Sequence, residues 1–252
     1  MQFLTKMFPR MDISSWASVG IHWNGNASFG GVPAGFVQGQ DAPGAVTLEG
    51  DQCLVFFLGG IPGTGPSCLG FAADPKNPAN PSSADRIGPF FEFTTSRLVA
   101  LRAGIVTPWA GANTYYSYAD TFSSTDGQGT LLAGAPYAYF SCYKVRNGYN
   151  RYNNFTPPGT YTPAIPFGVS DCYTTLTVSP YLQTTSQWQK PTSFQILSAG
   201  ADGFFGNAGG TSAALWGGIW TPQTAATVYP QGSSGYDDQA NFTSGLLGAG
   251  AD

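Results

Sequence analysis

The sequence is short of charge. Lys, Arg, Asp and Glu make up 10% of its 252 residues, against roughly 25% in an average soluble domain. Its surface must therefore be solvated mainly by Ser, Thr, Asn, Gln, Tyr and backbone. Glutamate occurs only at Glu49 and Glu92, and the Glu/Lys/Leu periodicity of a coiled coil or helical bundle is missing. The ten Lys and Arg residues are scattered, and a pI of about 4.7 opposes the electrostatic footprint that nucleic acid requires. A single histidine, His22, leaves a serine triad one possible base, and no G-x-S-x-G elbow accompanies it. The paired cysteines and histidines of a zinc site are missing as well. Long apolar runs are also lacking: the longest, Cys53–Ile61, is far below the roughly 18–20 residues a membrane helix needs. Met1–Ser15 lacks the continuous apolar core of a signal peptide. A chain that reads as extracellular yet shows no export signal is expected to be a fragment or a processed product.

Gly (34), Pro (19) and aromatics (15%) are what the chain has instead. The aromatics and the net charge of −4 exclude intrinsic disorder. The glycines and prolines predict low helix content and long irregular loops, and the length allows one large domain with insertions. Four cysteines, Cys53, Cys68, Cys142 and Cys172, suggest two disulfides and an oxidising compartment. Three pairings are possible. Cys53–Cys68 and Cys142–Cys172 are favoured, because each closes a Gly/Pro-containing excursion; four buried thiols acting as small hydrophobes are the alternative.

Along the chain, residues Phe3–Ile13 read as a short apolar segment and Asn24–Gly44 as loop. Thr47 can cap a short helix through Leu58 that Gly59-Gly60 would stop. Insertions are expected at about 62–81 and 147–166. Phe90–Phe93 reads as a buried apolar or strand segment. The alternation of Pro136–Tyr143 predicts a half-buried strand, Leu176–Pro180 a possible one, and Phe194–Ser198 the clearest late strand. Trp216 and Trp220 are expected to anchor a Gly-rich tail.

Three kinds of chemistry compete. Asp202, in a Gly-rich turn, and the pair Asp237-Asp238 could supply oxygens to a hard cation such as calcium, since irregular loops also expose carbonyls. The bland alternative is an Asp-Gly turn whose carboxylate bonds local N–H groups. Hydrolysis has no converging motif, so no catalytic residue is assigned and no enzyme is expected. Tyr115, Tyr116, Tyr118, Tyr137, Tyr139, Tyr143, Tyr149, Tyr152 and Tyr161 could form a recognition surface, although strand-rich proteins also use Tyr to cover sheets. G59-G-I-P-G-T-G lacks the Lys of a phosphate loop.

The run FQILSAGADG at Phe194–Gly203, followed by DDQANF at Asp237–Phe242, resembles the calcium loop of type IV pilin-like proteins, particularly the major pseudopilins of type II secretion. APYAY at Ala135–Tyr139 resembles that family's strand entry, and Glu49–Gly60 resembles a segment of bacterial prepilin-like proteins. The resemblance implies an α+β pilin-like head with an antiparallel sheet, one domain over 1–252, and a calcium loop region over about 194–245. It further implies Asp202, Asp237 and Asp238 as side-chain ligands of Ca2+ and the Ala199 carbonyl as a backbone ligand. The 34 residues between Asp202 and Asp237 make a longer loop than in typical major pseudopilins, leaving open which of Asp237 and Asp238 binds. The family's processing site and following apolar helix, its route into the membrane and the filament, are not in this sequence.

These readings lead to an extracytoplasmic filament subunit head, stabilised by one calcium and assembling with other pilin-like subunits. The alternative is a secreted calcium-dependent binding module, adhesin or lectin-like, that uses the Tyr-rich middle.

Overall fold

A computed structural model describes residues 50–74, 78, 83–100, 115–142, 146, 149, 178, 180–184, 186–206, 219–223, 225 and 229–249. Phe3–Ile13, Asn24–Gly44, Thr47, Trp216, Cys172 and nearly all of 147–166 lie outside them. The described residues carry a ten-residue α-helix over Gly50–Gly59 and several small antiparallel sheets, an α+β arrangement of low helix content.

The helix, α1, spans Gly50–Gly59. Its apolar run C-L-V-F-F-L carries it, and Gly60 ends it at φ +87, where its N–H still reaches the Phe56 carbonyl at 2.8 Å. Phe56 meets Phe71 and Tyr115 edge-on, at ring separations of 5.3 and 5.8 Å. In the first turn, buried Asp51 accepts the Ser117 hydroxyl at 2.5 Å. Following the helix, Pro62 and Cys68 bridge to each other, and β1 (Phe71–Ala72) pairs with β2 (Arg86–Ile87). The proline-rich insertion is therefore partly strand-paired.

Two further two-stranded ladders join β3 (Leu98–Val99) to β4 (Ser117–Tyr118) and β5 (Ser124–Thr125) to β6 (Leu131–Ala133). α1 packs on β4 and on β7 (Ala138–Ser141), with Val55, Leu98, Tyr116 and Tyr118 forming one buried cluster. A hairpin of β8 (Leu182–Thr184) and β9 (Gln187–Trp188) lies ahead of β10 (Phe194–Ser198). β10 is the middle strand of the only three-stranded sheet among the described residues, between β7 and β11 (Gln239–Ala240). Strands β7 and β10 lie where alternation predicts them.

The second, larger core forms beside this sheet from Phe140, Tyr181, Trp188, Leu197, Trp220, Tyr229 and neighbours. Gln195 is the polar exception in β10, fully buried and satisfied. Its side-chain oxygen accepts the Tyr181 N–H at 2.8 Å, and its amide nitrogen donates to the Tyr181 and Gln189 carbonyls at 3.0 Å each. One side chain thus clips the β8–β9 region onto β10. Trp220 anchors the tail as expected, its indole N–H donating to the Leu247 carbonyl at 2.9 Å.

Three expectations are corrected. Phe90–Phe93 is not a strand and is buried only in part: Phe90 and Phe91 are 61% and 48% exposed, while Phe93 is half-buried against the Val55–Tyr118 cluster. Their N–H groups donate singly to the Leu58 carbonyl, so the segment is pinned to the helix end and not paired in a ladder. Among the described residues no disulfide is formed, so the favoured Cys53–Cys68 bridge is absent, and Cys68 and Cys142 carry free thiols. The Cys68 Sγ packs on Gly59, 2.7 Å from where a Cβ would stand there. Cys53 is six residues earlier, roughly 9 Å up the helix and beyond disulfide reach. Cys142 is buried in the larger core as a small hydrophobe, and its favoured partner Cys172 lies outside the described residues.

The tyrosines do not make an outward recognition surface either. Tyr115, Tyr116, Tyr118 and Tyr149 are buried, while Tyr137 and Tyr139 are half-buried. Tyr143, Tyr152 and Tyr161 lie outside the described residues. The aromatic edges fill the two cores, as expected where few aliphatic side chains are available.

Candidate metal centre

The register of β10 and β11 brings the acidic residues together. Leu197 pairs with Ala240 and Ser198 with Gln239. Continuing that antiparallel register past the strand ends sets Asp238 opposite Ala199 and Asp237 opposite Gly200. Asn241 locks the same register from the other side: its side-chain oxygen accepts the Ile196 N–H at 3.1 Å, and its amide donates to the Phe194 carbonyl at 3.2 Å.

After Ser198 the chain turns sharply. Ala199 is fully buried, and Gly200 adopts φ +67, a conformation that favours glycine. A Cβ at Gly200 would stand 2.5–2.6 Å from the carbonyl and carboxylate of Asp237. This close approach lets the Asp237 Oδ2 accept the N–H groups of Ala201 at 2.5 Å and Asp202 at 3.2 Å. Asp202, exposed at the turn, accepts the Phe204 N–H at 2.7 Å. That last contact is the ordinary Asp-Gly turn bond.

Asp238 has a different environment. It is 1% exposed, and its Oδ2 accepts the Gly206 N–H at 2.8 Å. The hydroxyl of wholly buried Tyr181 lies 3.5 Å from the same oxygen, and Tyr229 donates to Tyr181 at 2.8 Å. The other oxygen, Oδ1, is buried with no hydrogen-bond partner. Burial, with added repulsion from Asp202 and Asp237, pushes the Asp238 carboxyl up to about 8, although the Gly206 N–H and Tyr181 act against the rise. Asp202 is also raised, by desolvation first and by the Asp237 charge second.

The structure therefore brings Asp202, Asp237 and Asp238 to one turn, with Ala199 at its base. Among the described residues no group of three or more His, Cys, Asp or Glu side chains is placed so that it could hold a metal ion. Asp202, Asp237 and one oxygen of Asp238 are turned onto backbone N–H groups. What the turn offers a hard cation is oxygen donors alone, one of them a buried carboxylate oxygen of Asp238 with no hydrogen-bond partner.

Sequence reasoning did not single out Asp120, Tyr181, Tyr229 or Gln195. Asp120 is buried at the end of β4, where its Oδ2 accepts the Ser198 hydroxyl at 2.8 Å across 78 residues. Local spacing carries no signal for such a pair. The one available cue was an acidic residue closing an aromatic strand with no basic residue nearby.

No protein-family model, curated protein or solved structure matches this chain.

Proposed function

We propose that this chain is a non-catalytic, extracytoplasmic head domain of a pilin-like filament subunit, in which a calcium ion ties the turn after β10 to the segment before β11. The observation that carries the reading is the unpartnered, buried Oδ1 of Asp238, whose carboxyl also feels the charges of Asp202 and Asp237. A buried carboxylate in this setting is costly when ionised and alone, and a divalent cation offsets both its desolvation and the repulsion from its neighbours. Asp238 would hold the ion, with Asp202, Asp237 and the Ala199 carbonyl as the further oxygens implied by the likeness to pseudopilin calcium loops. Bound calcium supplies charge neutralisation and nothing catalytic.

The role is mechanical. The segment between Asp202 and Asp237 is long, and its ends come together at this turn, where Gly206 also packs closely on Gly235. A cation there would hold the two ends under load, as a filament subunit requires. The filament and its homologous partner subunits rest on the motif likeness at Phe194–Gly203 and Asp237–Phe242 together with the coarse α+β architecture. A surface lectin or adhesin gains no comparable support, because the tyrosines it would use are buried or half-buried where described.

Two experiments test the two halves. Calorimetric titration of chelator-stripped protein with calcium and magnesium should give one calcium site that Asp238→Asn abolishes; heat no different from buffer removes the calcium role. Expression of the longer gene product should yield membrane-extractable protein and filaments labelled by an antibody to this chain. Consistently monomeric, freely soluble product would count against the subunit role.

A further inference from the structure

Four of the large apolar side chains that the cores leave out collect at the end of α1. Leu58, Ile87, Phe90 and Phe91 are 37%, 46%, 61% and 48% exposed. The Leu58 carbonyl accepts the N–H groups of Phe90 at 2.7 Å and Phe91 at 3.1 Å, and Ile87 ends β2 just before them. From this patch a row of rings runs inward. Phe91 meets Phe93 edge-on at 4.7 Å, and Phe93 meets Tyr118 at 4.8 Å. Over Tyr118 lies the Arg97 guanidinium, 4.3 Å from the ring centre. Its Nε and Nη2 donate to the Ala119 carbonyl at 3.0 and 2.6 Å, which holds the planar group in place. Nη1 is uncommitted, and among the described residues no carboxylate pairs with Arg97. Glu92, exposed between Phe91 and Phe93, likewise pairs with no cation there.

Single exposed apolar side chains are normal on a surface, but a cluster of them marks a contact. The charges decide what covers this one. A patch with one cation and one anion, neither neutralising the other, suits no strongly charged partner: an anionic lipid surface or a basic segment would attract one and repel the other. What matches it is a surface with an apolar centre and one charge of each sign, and the patch is itself such a surface. We propose that it is the contact between two copies of this chain, related by a two-fold axis, with Phe90 and Phe91 packed on their counterparts and Arg97 of each copy paired with Glu92 of the other. In a two-fold contact one patch serves both sides, so the ion pair forms twice. The rings supply most of the affinity, because exposed ion pairs contribute little by themselves; the charges set the register and exclude other partners. Arg97 suits this role because a stacked guanidinium presents its remaining N–H groups to a carboxylate at little entropic cost. This contact goes beyond the filament and calcium readings and depends on neither.

Sedimentation velocity from micromolar to millimolar protein, in calcium-free buffer, tests it. Wild type should pass from monomer to dimer as concentration rises. Phe90→Ser and Glu92→Lys, both at exposed positions, should each weaken the dimer about tenfold or more while melting as wild type does. Arg97→Glu should weaken it as well, and mixing Arg97→Glu with Glu92→Lys should restore a dimer, because the mixed pair recovers opposite charges at both contacts. If Arg97→Glu does not melt cooperatively, Phe90→Ser and Glu92→Lys decide. Wild type that stays monomeric throughout overturns the proposal and leaves the filament and calcium readings standing, since the longer gene product and the calcium titration test those separately. A dimer that Phe90→Ser and Glu92→Lys leave unchanged overturns it too. Monomeric wild type that floats with phosphatidylcholine vesicles assigns the patch to a lipid surface instead and overturns the contact between copies.

Discussion

The carboxylate of Asp237 accepts the backbone N–H of Asp202, at 3.2 Å, across 35 residues of chain. With the Ala201 N–H on the same oxygen at 2.5 Å, this bond helps close a long excursion at its neck, where Gly200 lets the two stretches of backbone approach. Gly200→Ala should therefore cost more than a surface substitution. A side chain there would be strained at φ +67 and would collide with Asp237 at 2.5–2.6 Å. A loss of about 2–4 kcal/mol in urea unfolding is expected, against under about 0.5 kcal/mol for an exposed site such as Thr184→Ala. Equal stability for the two variants would mean that the neck is looser than the geometry requires.

The ionisation of Asp238 gives the chelator-stripped protein a pH dependence of definite sign. Its folded carboxyl lies at about 8, well above an unfolded aspartate. The neutral form is thus favoured in the fold, and the contribution is fully present below the unfolded value near pH 4. Stability is lost as pH rises from there through about 8, at roughly 1 kcal/mol per pH unit. In chelator, melting temperature should fall between pH 5 and 8, and Asp238→Asn should flatten that slope. A slope that the variant leaves unchanged would assign the effect to other groups.

Gln195 predicts a large effect from a modest change. Its replacement by Leu keeps a side chain of similar size but leaves the Tyr181 N–H and the Gln189 carbonyl without their Gln195 partner, while the Tyr181 carbonyl keeps only the Gln189 N–H. About 2–4 kcal/mol should be lost in denaturant unfolding. A neutral or stabilising Gln195→Leu would show that these backbone groups find other partners.

The free thiols carry a chemical prediction. Denatured protein that has never met a reductant should react with a thiol reagent at Cys68 and Cys142. In the native state Cys68 should react slowly at pH 8, because burial pushes its thiol up to about 11 and little thiolate forms. Recovery of Cys53 or Cys68 in a disulfide-linked peptide would reverse the correction made above.

Local signals carried part of this fold and not the rest. Gly59-Gly60 stops α1, and alternation marks β7 and β10, because each is written in adjacent residues. The likeness at Phe194–Gly203 and Asp237–Phe242 named the three aspartates that the β10–β11 register brings to one turn. Phe90–Phe93 looked like core because it is apolar, but three aromatics beside Pro89 cannot all turn inward where the chain only brushes the helix end. The favoured Cys53–Cys68 pairing failed for a related reason: loop composition suggests which cysteines a chain could bring near, but helix rise decides whether they meet. Asp120 and Gln195 act through partners 78 and 14 residues away, so their roles depend on the tertiary arrangement.

The central claim is that the acidic turn after β10 is completed by calcium. A thermal melt of chelator-stripped protein, with and without millimolar calcium, beside Asp202→Ala and Asp238→Asn tests it most directly. A ligand at a hundredfold excess over its Kd stabilises by about 2.7 kcal/mol, roughly 5–10 °C for a chain of this size. The account predicts a rise of that order with calcium, a smaller one with magnesium, and none in Asp238→Asn. A wild-type melt that calcium leaves unmoved would contradict it and reduce the three carboxylates to caps on backbone N–H groups.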